Sequence, residues 1–234
     1  MRKLKPLALQ SKIHKSIDFD MAMDAFPHLS PDAFSEACRQ LVARFDRHGH
    51  DQDAWHKVML TTDQQGQQGL QIVRRLESVS NTVVTAAEDE SSDWNESDEE
   101  ALPSQPSNPH ATIEYSIHPS PSYRVPVLYI SIQDFDGGGT TSIDRMGELL
   151  IPPGFKSQVD SVGIIGAVSM TNHPVTDMPV FFIHPCNTAA ALEAAASTPD
   201  PSPWEYLQLW FGVVGACVGL DLPLVLASHQ GGGP

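Results

Sequence analysis

Basic residues and cysteines are both scarce in this chain of 234 residues. Fourteen Lys and Arg stand against 29 Asp and Glu, which gives a net charge of −15. A protein this acidic offers no broad phosphate-binding surface, so we expect neither nucleic acid nor anionic membrane among its direct partners. The three cysteines are too few and too widely spaced for a disulfide framework or a zinc site, which favours a reducing compartment. They are Cys38, Cys186 and Cys217.

Long hydrophobic runs are also missing. The stretch from Leu207 to Leu220 is apolar for only 14 residues, whereas a membrane-spanning helix needs about 20. The basic N-terminus is followed only by Leu7-Ala8-Leu9, which is too short for the apolar region of a signal peptide. We therefore expect no direct membrane insertion and a cytoplasmic location.

Composition predicts one domain with three low-complexity segments. Residues 28–228 form the predicted domain, with a flexible segment at 1–27 and a flexible tail at 229–234. The domain is interrupted at about 88–109, where eight acids lie within residues 88–100 and three prolines follow. Such a segment repels itself and buries almost nothing, which is typical of a disordered loop.

Two capping patterns predict helices at opposite ends of the domain. Ser30-Pro31 begins a stretch with apolar residues at helical spacing, which predicts a helix over about 31–47. Cys38 belongs to its apolar stripe and is predicted to be a core thiol. Residues 202–205 form a capping box, and a buried helical stripe continues from there to Val218. Shorter helices are predicted at about 142–149 and Asn187–Ala196.

Alternating apolar and β-branched residues predict strands on both sides of the acidic loop. The predicted segments are Trp55–Leu60, Leu70–Val84, Ala111–His118, Val125–Asp134 and Val180–Ile183. Gln65-Gly66 is the predicted turn between the first two, and the stretch 152–170 receives no assignment. A helix, a meander of antiparallel strands and then more helices predict an α+β fold with the helices on one side of the sheet.

Cys186 differs from the other two cysteines in its position. It follows Pro185 at the end of an apolar strand and precedes a predicted helix, whose positive dipole end attracts an anionic sulfur. His184 would share the side of Cys186 if strand geometry continued through the connection. These residues alone leave two interpretations open, a nucleophilic cysteine and a strand-end cysteine packed under a helix.

Residue types alone also leave the chemistry open. A cysteine hydrolase needs a histidine base, and His173 or His184 has the required side chain. A thioester carrier needs an accessible thiol, a surface for the incoming amine and donors for the developing oxyanion. A metal site of Cys186, His184 and His173 would need a fourth ligand, and no spacing supports one.

Three longer stretches carry a resemblance to a known family. His173–Thr188, with the sequence HPVTDMPVFFIHPCNT, resembles the active-site region of the autophagy-related protein 10 family, the E2-like conjugating enzymes of autophagy. Trp210–Ala227, with WFGVVGACVGLDLPLVLA, resembles the closing helix of that family. Ser122–Gly138, with SYRVPVLYISIQDFDGG, resembles its central strand and the turn after it. The three occur in the expected order.

The resemblance implies an E2-like fold and an aminoacyltransferase activity that supports autophagosome formation. Cys186 would accept the ubiquitin-like autophagy protein 12 as a thioester from the E1-like activating enzyme, autophagy protein 7. It would then transfer that protein to a lysine of autophagy protein 5. The resemblance implies no metal and no organic cofactor, and it places the protein in the cytoplasm, peripheral to the preautophagosomal structure.

The catalytic helpers are less well defined by the resemblance. Ordinary ubiquitin-conjugating enzymes carry His-Pro-Asn before the cysteine, whereas the nearest run here, Asn172-His173-Pro174, has a different order. We therefore predict a turn at His173-Pro174 and do not assign the oxyanion role to Asn172. The predicted helpers are His184, as oxyanion donor or base, and Tyr129 on the central strand, for which a core aromatic is the alternative interpretation.

Two other functions fit parts of the sequence. The sister enzyme, which joins the other autophagy ubiquitin-like protein to phosphatidylethanolamine, shares the His-Pro-Cys motif, but we expect it to have a longer chain and an amphipathic N-terminal helix. A non-catalytic adaptor with an E2-like fold is the second alternative, and the intact Cys186 argues against it.

Overall fold

The computed structural model describes residues 25–77, 110–134, 138–151 and 168–228. The predicted acidic loop, the C-terminal tail and all but the last three residues of the predicted N-terminal segment lie outside these residues, as does most of the unassigned stretch 152–170. Within the described residues the strands are β1 (Lys57–Thr62), β2 (Gln68–Glu77), β3 (His110–Pro119), β4 (Pro126–Gln133), β5 (Val168–Asn172) and β6 (Pro179–Ile183). The α-helices there are α1 (Pro31–His48), α2 (Ile143–Leu150), α3 (Thr188–Ala195), α4 (Pro203–Trp210) and α5 (Leu224–Ala227).

The six strands form one sheet in the order β1-β2-β3-β4-β6-β5, and every neighbouring pair is antiparallel. The predicted meander and the α+β class are therefore confirmed. Strand β5 was not predicted. It lies at the sheet edge and is exposed at most positions, so its sequence lacks the alternation that marks a half-buried strand.

Helix α1 forms where the capping pattern predicts it. The Ser30 hydroxyl accepts a hydrogen bond from the Ala33 N–H at 3.2 Å, and Pro31 occupies the first turn. Phe34, Cys38 and Leu41 recur on one face of the helix and are fully buried. The core position predicted for Cys38 is confirmed.

The predicted C-terminal helical stretch is correct at its start and at its end before Gly219, but it is not α-helical throughout. Ser202 and Glu205 form the capping box, but α4 ends at Trp210 and the backbone continues as a π turn over 211–215 and a 3-10 turn over 216–218. Glycines at 212, 215 and 219 weaken the α-helical preference of this stretch. The buried stripe itself is as predicted: Trp204, Leu207, Trp210, Phe211, Val214 and Val218.

The two faces of the sheet differ in their side chains. In β3, Ile113, Tyr115 and Ile117 belong to the apolar core that the helices cover. Ser116 and His118 alternate with them and point to the opposite face, which we call the outer face. No helix among the described residues combines the length and the hydrophobicity needed to cross a membrane.

The helix-covered face also fixes the chain after α4. The Tyr115 hydroxyl donates to the Val218 carbonyl at 2.9 Å, and the Arg74 guanidinium donates to the Gly219 carbonyl. Gly219 has φ +68°, and a Cβ there would lie 3.0 Å from the Leu150 carbonyl oxygen. A side chain at this position would therefore be strained in both its backbone and its contacts.

Candidate active site

Cys186 lies on a short turn between β6 and α3. The strand ends at Ile183, and Pro185–Asn187 forms one 3-10 turn before α3 begins at Thr188. Pro185 has no N–H to continue a strand ladder, and its φ suits the first position of a helical turn. Strand geometry therefore does not continue to Cys186, so the period-two argument that paired it with His184 does not apply.

The three thiols have different surroundings. Cys186 is exposed, Cys217 is half-buried and Cys38 is buried. Burial raises the pKa of the Cys38 thiol far above its usual range, and it also raises the pKa of Cys217. Cys217 donates its S–H to the Val213 carbonyl at 3.2 Å. Of the three, Cys186 alone is exposed.

His184 is joined to Cys186 by a hydrogen bond. Its ring Nδ1 accepts the backbone N–H of Cys186 at 3.2 Å. An accepting Nδ1 must carry a lone pair, so the neutral ring carries its proton on Nε2. The same bond occupies the Cys186 N–H, which leaves that group unable to bind an oxyanion. The Nε2–H of His184 is thus a side-chain donor on a ring that is bonded to the Cys186 backbone.

Tyr129 lies in β4 on the outer face, opposite Phe182 of β6. The two rings stack with centroids 6.2 Å apart and 22° between their planes, and Phe182 contacts the His184 ring at 6.0 Å. Tyr129 is half-buried, and burial raises the pKa of its hydroxyl, so it is protonated and able to donate at neutral pH. It lies on the face opposite the helix-covered core and is linked to the Cys186 turn through Phe182 and His184.

The predicted turn at His173-Pro174 is confirmed. It connects β5 to β6, and His173 Nδ1 accepts the N–H groups of Val175 and Thr176 at 3.2 Å each. The Asn172 side-chain amide donates to the Asp177 carboxylate at 2.9 Å. That amide is engaged within the turn, which agrees with leaving it out of the oxyanion assignment.

Sequence reasoning missed three side chains that contact residues of the Cys186 turn or the His173-Pro174 turn. The Tyr123 ring contacts His184 at 5.6 Å and 79°, Phe182 lies between Tyr129 and His184, and His118 contacts both Tyr129 and His173. Apart from the contact between Phe182 and His184, which are two residues apart, these contacts join different strands or turns, so no local spacing in the sequence indicates them.

The described residues do not bring together three or more His, Cys, Asp or Glu side chains in a way that could hold a metal ion. The arrangement offers an exposed sulfur nucleophile, an imidazole donor and a phenol donor. Such groups can carry an acyl group on sulfur and stabilise the negative charge that forms when a second nucleophile attacks it.

Comparison with known proteins shows the family to which the chain belongs. The family model of the active-site domain of autophagocytosis-associated proteins matches residues 33–225. The chain is 32% identical to the ubiquitin-like-conjugating enzyme ATG10 of Gibberella zeae over 239 residues, which covers 89% of this chain and 100% of that protein. It is 30% identical to the human enzyme of the same name and 28% identical to that of Arabidopsis thaliana. Each of these two matches covers 49% of this chain and 52% of the relative.

Among solved structures, the chain is similar to the crystal structure of the autophagic E2 Atg10, with 16% sequence identity and a TM-score of 0.40. That similarity covers 80% of this chain and 97% of the other. The family model and the fungal relative both extend over most of the sequence. The chain therefore belongs to the autophagy-related protein 10 family of E2-like ubiquitin-like-conjugating enzymes.

Proposed function

We propose that the protein conjugates the ubiquitin-like autophagy protein 12 to a lysine of autophagy protein 5, with Cys186 as the carrier. The activating enzyme, autophagy protein 7, supplies the donor as a thioester. The proposed site of action is the cytoplasm, at the periphery of the preautophagosomal structure. The observation that carries this proposal is the exposed Cys186 on a turn bonded to His184, in a chain whose other cysteines are withdrawn from the surface.

The proposed reaction has two acyl transfers. The Cys186 thiolate attacks the thioester on the activating enzyme, so that a new C–S bond forms and the thiolate of that enzyme leaves. The acceptor lysine, as a neutral amine, then attacks the carbonyl carbon on Cys186. A C–N bond forms, the C–S bond breaks, the amine loses a proton and the Cys186 thiolate is regenerated.

The helpers are proposed to act in the second transfer. Its tetrahedral intermediate carries negative charge on the former carbonyl oxygen, and one well-placed donor contributes about 2.7–4 kcal/mol to such a step. His184 Nε2–H is the proposed donor, because its Nδ1 already accepts the Cys186 N–H. The Tyr129 hydroxyl is the proposed second helper, since it is protonated and lies on the same face of the sheet.

The test is a reaction with autophagy protein 7, ATP and autophagy protein 12, followed by addition of autophagy protein 5. We expect an adduct that thiol reductants cleave, and an isopeptide-linked product after the acceptor is added. In Cys186→Ser the adduct becomes an oxyester, which resists thiol reductants and transfers poorly because an alkoxide is a worse leaving group than a thiolate.

Cys38→Ser and Cys217→Ser are the matched controls, and both keep the thiol-sensitive adduct. Cys217→Ser is the milder of the two, because a hydroxyl can also donate to the Val213 carbonyl. A thiol-sensitive adduct that survives in Cys186→Ser would overturn the nucleophile assignment. A charged enzyme that never transfers to autophagy protein 5 would overturn the assignment of the acceptor.

A further inference from the structure

Three rings pack together on the outer face of the sheet, and we call them the ring cluster: His118, Tyr129 and His173. Each ring contacts the other two edge-on. The centroid distances are 6.0 Å for His118 and Tyr129, 5.5 Å for His118 and His173, and 5.7 Å for Tyr129 and His173. Such contacts fix the plane of each ring relative to its neighbours.

The turn between β5 and β6 holds the His173 ring in place. With Nδ1 accepting from both Val175 and Thr176, the ring has one tautomer, which carries its proton on Nε2. Nε2 is buried and has no hydrogen-bond partner within the described residues. Burial also lowers the pKa of His173, so the ring is neutral at physiological pH. The described ring contacts of His173 are those with His118 and Tyr129.

His118 forms the floor of the cluster. It is only 5% exposed, and neither of its ring nitrogens has a hydrogen-bond partner among the residues that the structure describes. Its ring lies over Gly69 of β2, so closely that a Cβ at that position would approach Nδ1 to 2.5 Å. Burial and the neighbouring His173 lower its pKa to about 4, against a small opposing effect of Asp63. A neutral, tightly enclosed imidazole with unpaired nitrogens adds little to stability, which points to another role.

The ring cluster reaches the active site through Tyr129. That ring stacks on Phe182, which in turn contacts His184, the residue bonded to the Cys186 N–H. The Tyr129 ring is therefore packed face to face with Phe182 and edge-on against the two histidines.

We propose that His118 and His173 are positioning residues, which hold the Tyr129 phenol in the orientation required for transfer from Cys186. The proposal rests on the function proposed above. It assigns no contact with substrate to either histidine: both act through Tyr129. Charging of Cys186 should depend little on them, because that step begins from the thiolate.

The decisive variant is His173→Asn. An asparagine oxygen can still accept the N–H groups two and three residues on, which preserves the turn, but it removes the ring that contacts Tyr129 and His118. We expect unchanged charging and a single-turnover discharge roughly 10- to 100-fold slower than wild type, since small misplacements of a catalytic group have effects of this size. His173→Phe keeps a ring but loses the turn acceptor, and we expect it to restore most of the discharge rate.

A double variant tests whether the effect passes through the phenol. If His173 orients the Tyr129 hydroxyl, the substitution His173→Asn should slow discharge less than about twofold when Tyr129→Phe is already present. Effects that multiply in the double variant would overturn the proposal. His50→Asn, at an exposed histidine outside the site, is the matched control and should discharge at the wild-type rate.

A measurement without activity makes the test independent of turnover. In NMR spectra with labelled tyrosine, His173→Asn should shift the ring resonances of Tyr129 and leave those of Tyr206 in place. Unmoved Tyr129 resonances, or wild-type discharge by a folded His173→Asn, would overturn the positioning role while the conjugating function stands. A wild-type protein that forms no thioester on Cys186 would instead overturn the proposed function, and this inference with it.

Discussion

Two tyrosines on neighbouring strands show how differently the two faces of one sheet are used. Tyr115 of β3 and Tyr129 of β4 are one step apart in register, since Ser116 is the residue opposite Tyr129. Tyr115 points into the helix-covered core, where burial raises its pKa to about 12 and its hydroxyl is bonded to the Val218 carbonyl. Tyr129 points to the outer face, half-buried among aromatic and imidazole rings.

The comparison indicates that the covered face contributes mainly to stability, whereas the outer face carries the candidate chemistry. On the covered face, the side chains of Arg74 and Tyr115 donate to backbone carbonyls and so join the sheet to the C-terminal turns. On the outer face the ring nitrogens of His118 and Nε2 of His173 have no partner within the described residues, and these rings connect to the Cys186 turn only through other side chains. Substitutions on the covered face should therefore change the free energy of unfolding, and those on the outer face should change the rate of discharge from Cys186.

The largest effect on the outer face is expected at His184. Removing the ring in His184→Ala takes away the proposed oxyanion donor, and discharge to the proposed acceptor, autophagy protein 5, should slow about 10²- to 10³-fold. Charging should slow much less. His184→Asn keeps a donor and should retain part of the rate. Single-turnover assays measure both steps, and equal slowing of charging and discharge would indicate that the histidine acts on the thiolate instead.

Acid should weaken the fold through His118. Its pKa is about 4 in the folded protein and about 6.5 when unfolded, so between these values the unfolded chain binds the extra proton. Stability is complete above about pH 6.5 and falls as the pH decreases toward 4, by up to about 3 kcal/mol. Urea unfolding at pH 7 and pH 4.5 measures the loss. His118→Gln should reduce it, and a loss as large as in the wild type would contradict the assignment to His118.

The two tyrosines provide a reciprocal pair of hydroxyl deletions. Tyr115→Phe removes the donor to the buried Val218 carbonyl and should cost about 1–3 kcal/mol of unfolding free energy, with charging and discharge unchanged. Tyr129→Phe should leave the unfolding free energy within about 0.5 kcal/mol and slow discharge. Denaturation and single-turnover assays on both variants give the answer. Slow discharge in Tyr115→Phe would break the separation of the two faces.

The smallest effect is expected in the acidic segment, which lies outside the described residues. Deletion of residues 89–107 removes a stretch with no apolar periodicity, and shortening a loop changes its closure entropy only slowly. Thermal unfolding and basal thioester formation should match the full chain. A melting temperature many degrees lower would contradict this expectation, and a selective loss of charging by the activating enzyme would make the segment a docking element.

Local signals in the sequence predicted the elements that local forces stabilise. Ser30-Pro31 and the capping box at 202–205 fixed two helix starts, and alternation fixed β3 and β4. The edge strand β5 was not predicted, because a strand exposed at most positions shows no alternation of apolar and polar residues. The change from α-helix to π turn after Trp210 was not predicted. Glycines at 212 and 215 allow the backbone to widen there, and the spacing of apolar residues does not indicate such a change.

The candidate site divides in the same way. The position of Cys186, on a short connection between a strand and a helix, was predicted from the residues on either side of it, but those residues left its exposure open. Its bond with His184 was not predicted, because it depends on a 3-10 turn replacing the strand. The ring cluster was beyond sequence reasoning, since His118 and His173 are 55 positions apart and meet only when β6 inserts between β4 and β5.

The three thiols differ in exposure, so Cys186 can be labelled selectively in the folded protein. An alkylating reagent applied to the folded chain should modify Cys186 first, because Cys38 is buried and Cys217 is half-buried with its S–H bonded to a carbonyl. One equivalent of label should therefore attach to Cys186 and report on the conformation of the turn that carries it. A fluorophore or spin label attached there would follow the approach of either protein partner with no engineered residue anywhere in the chain.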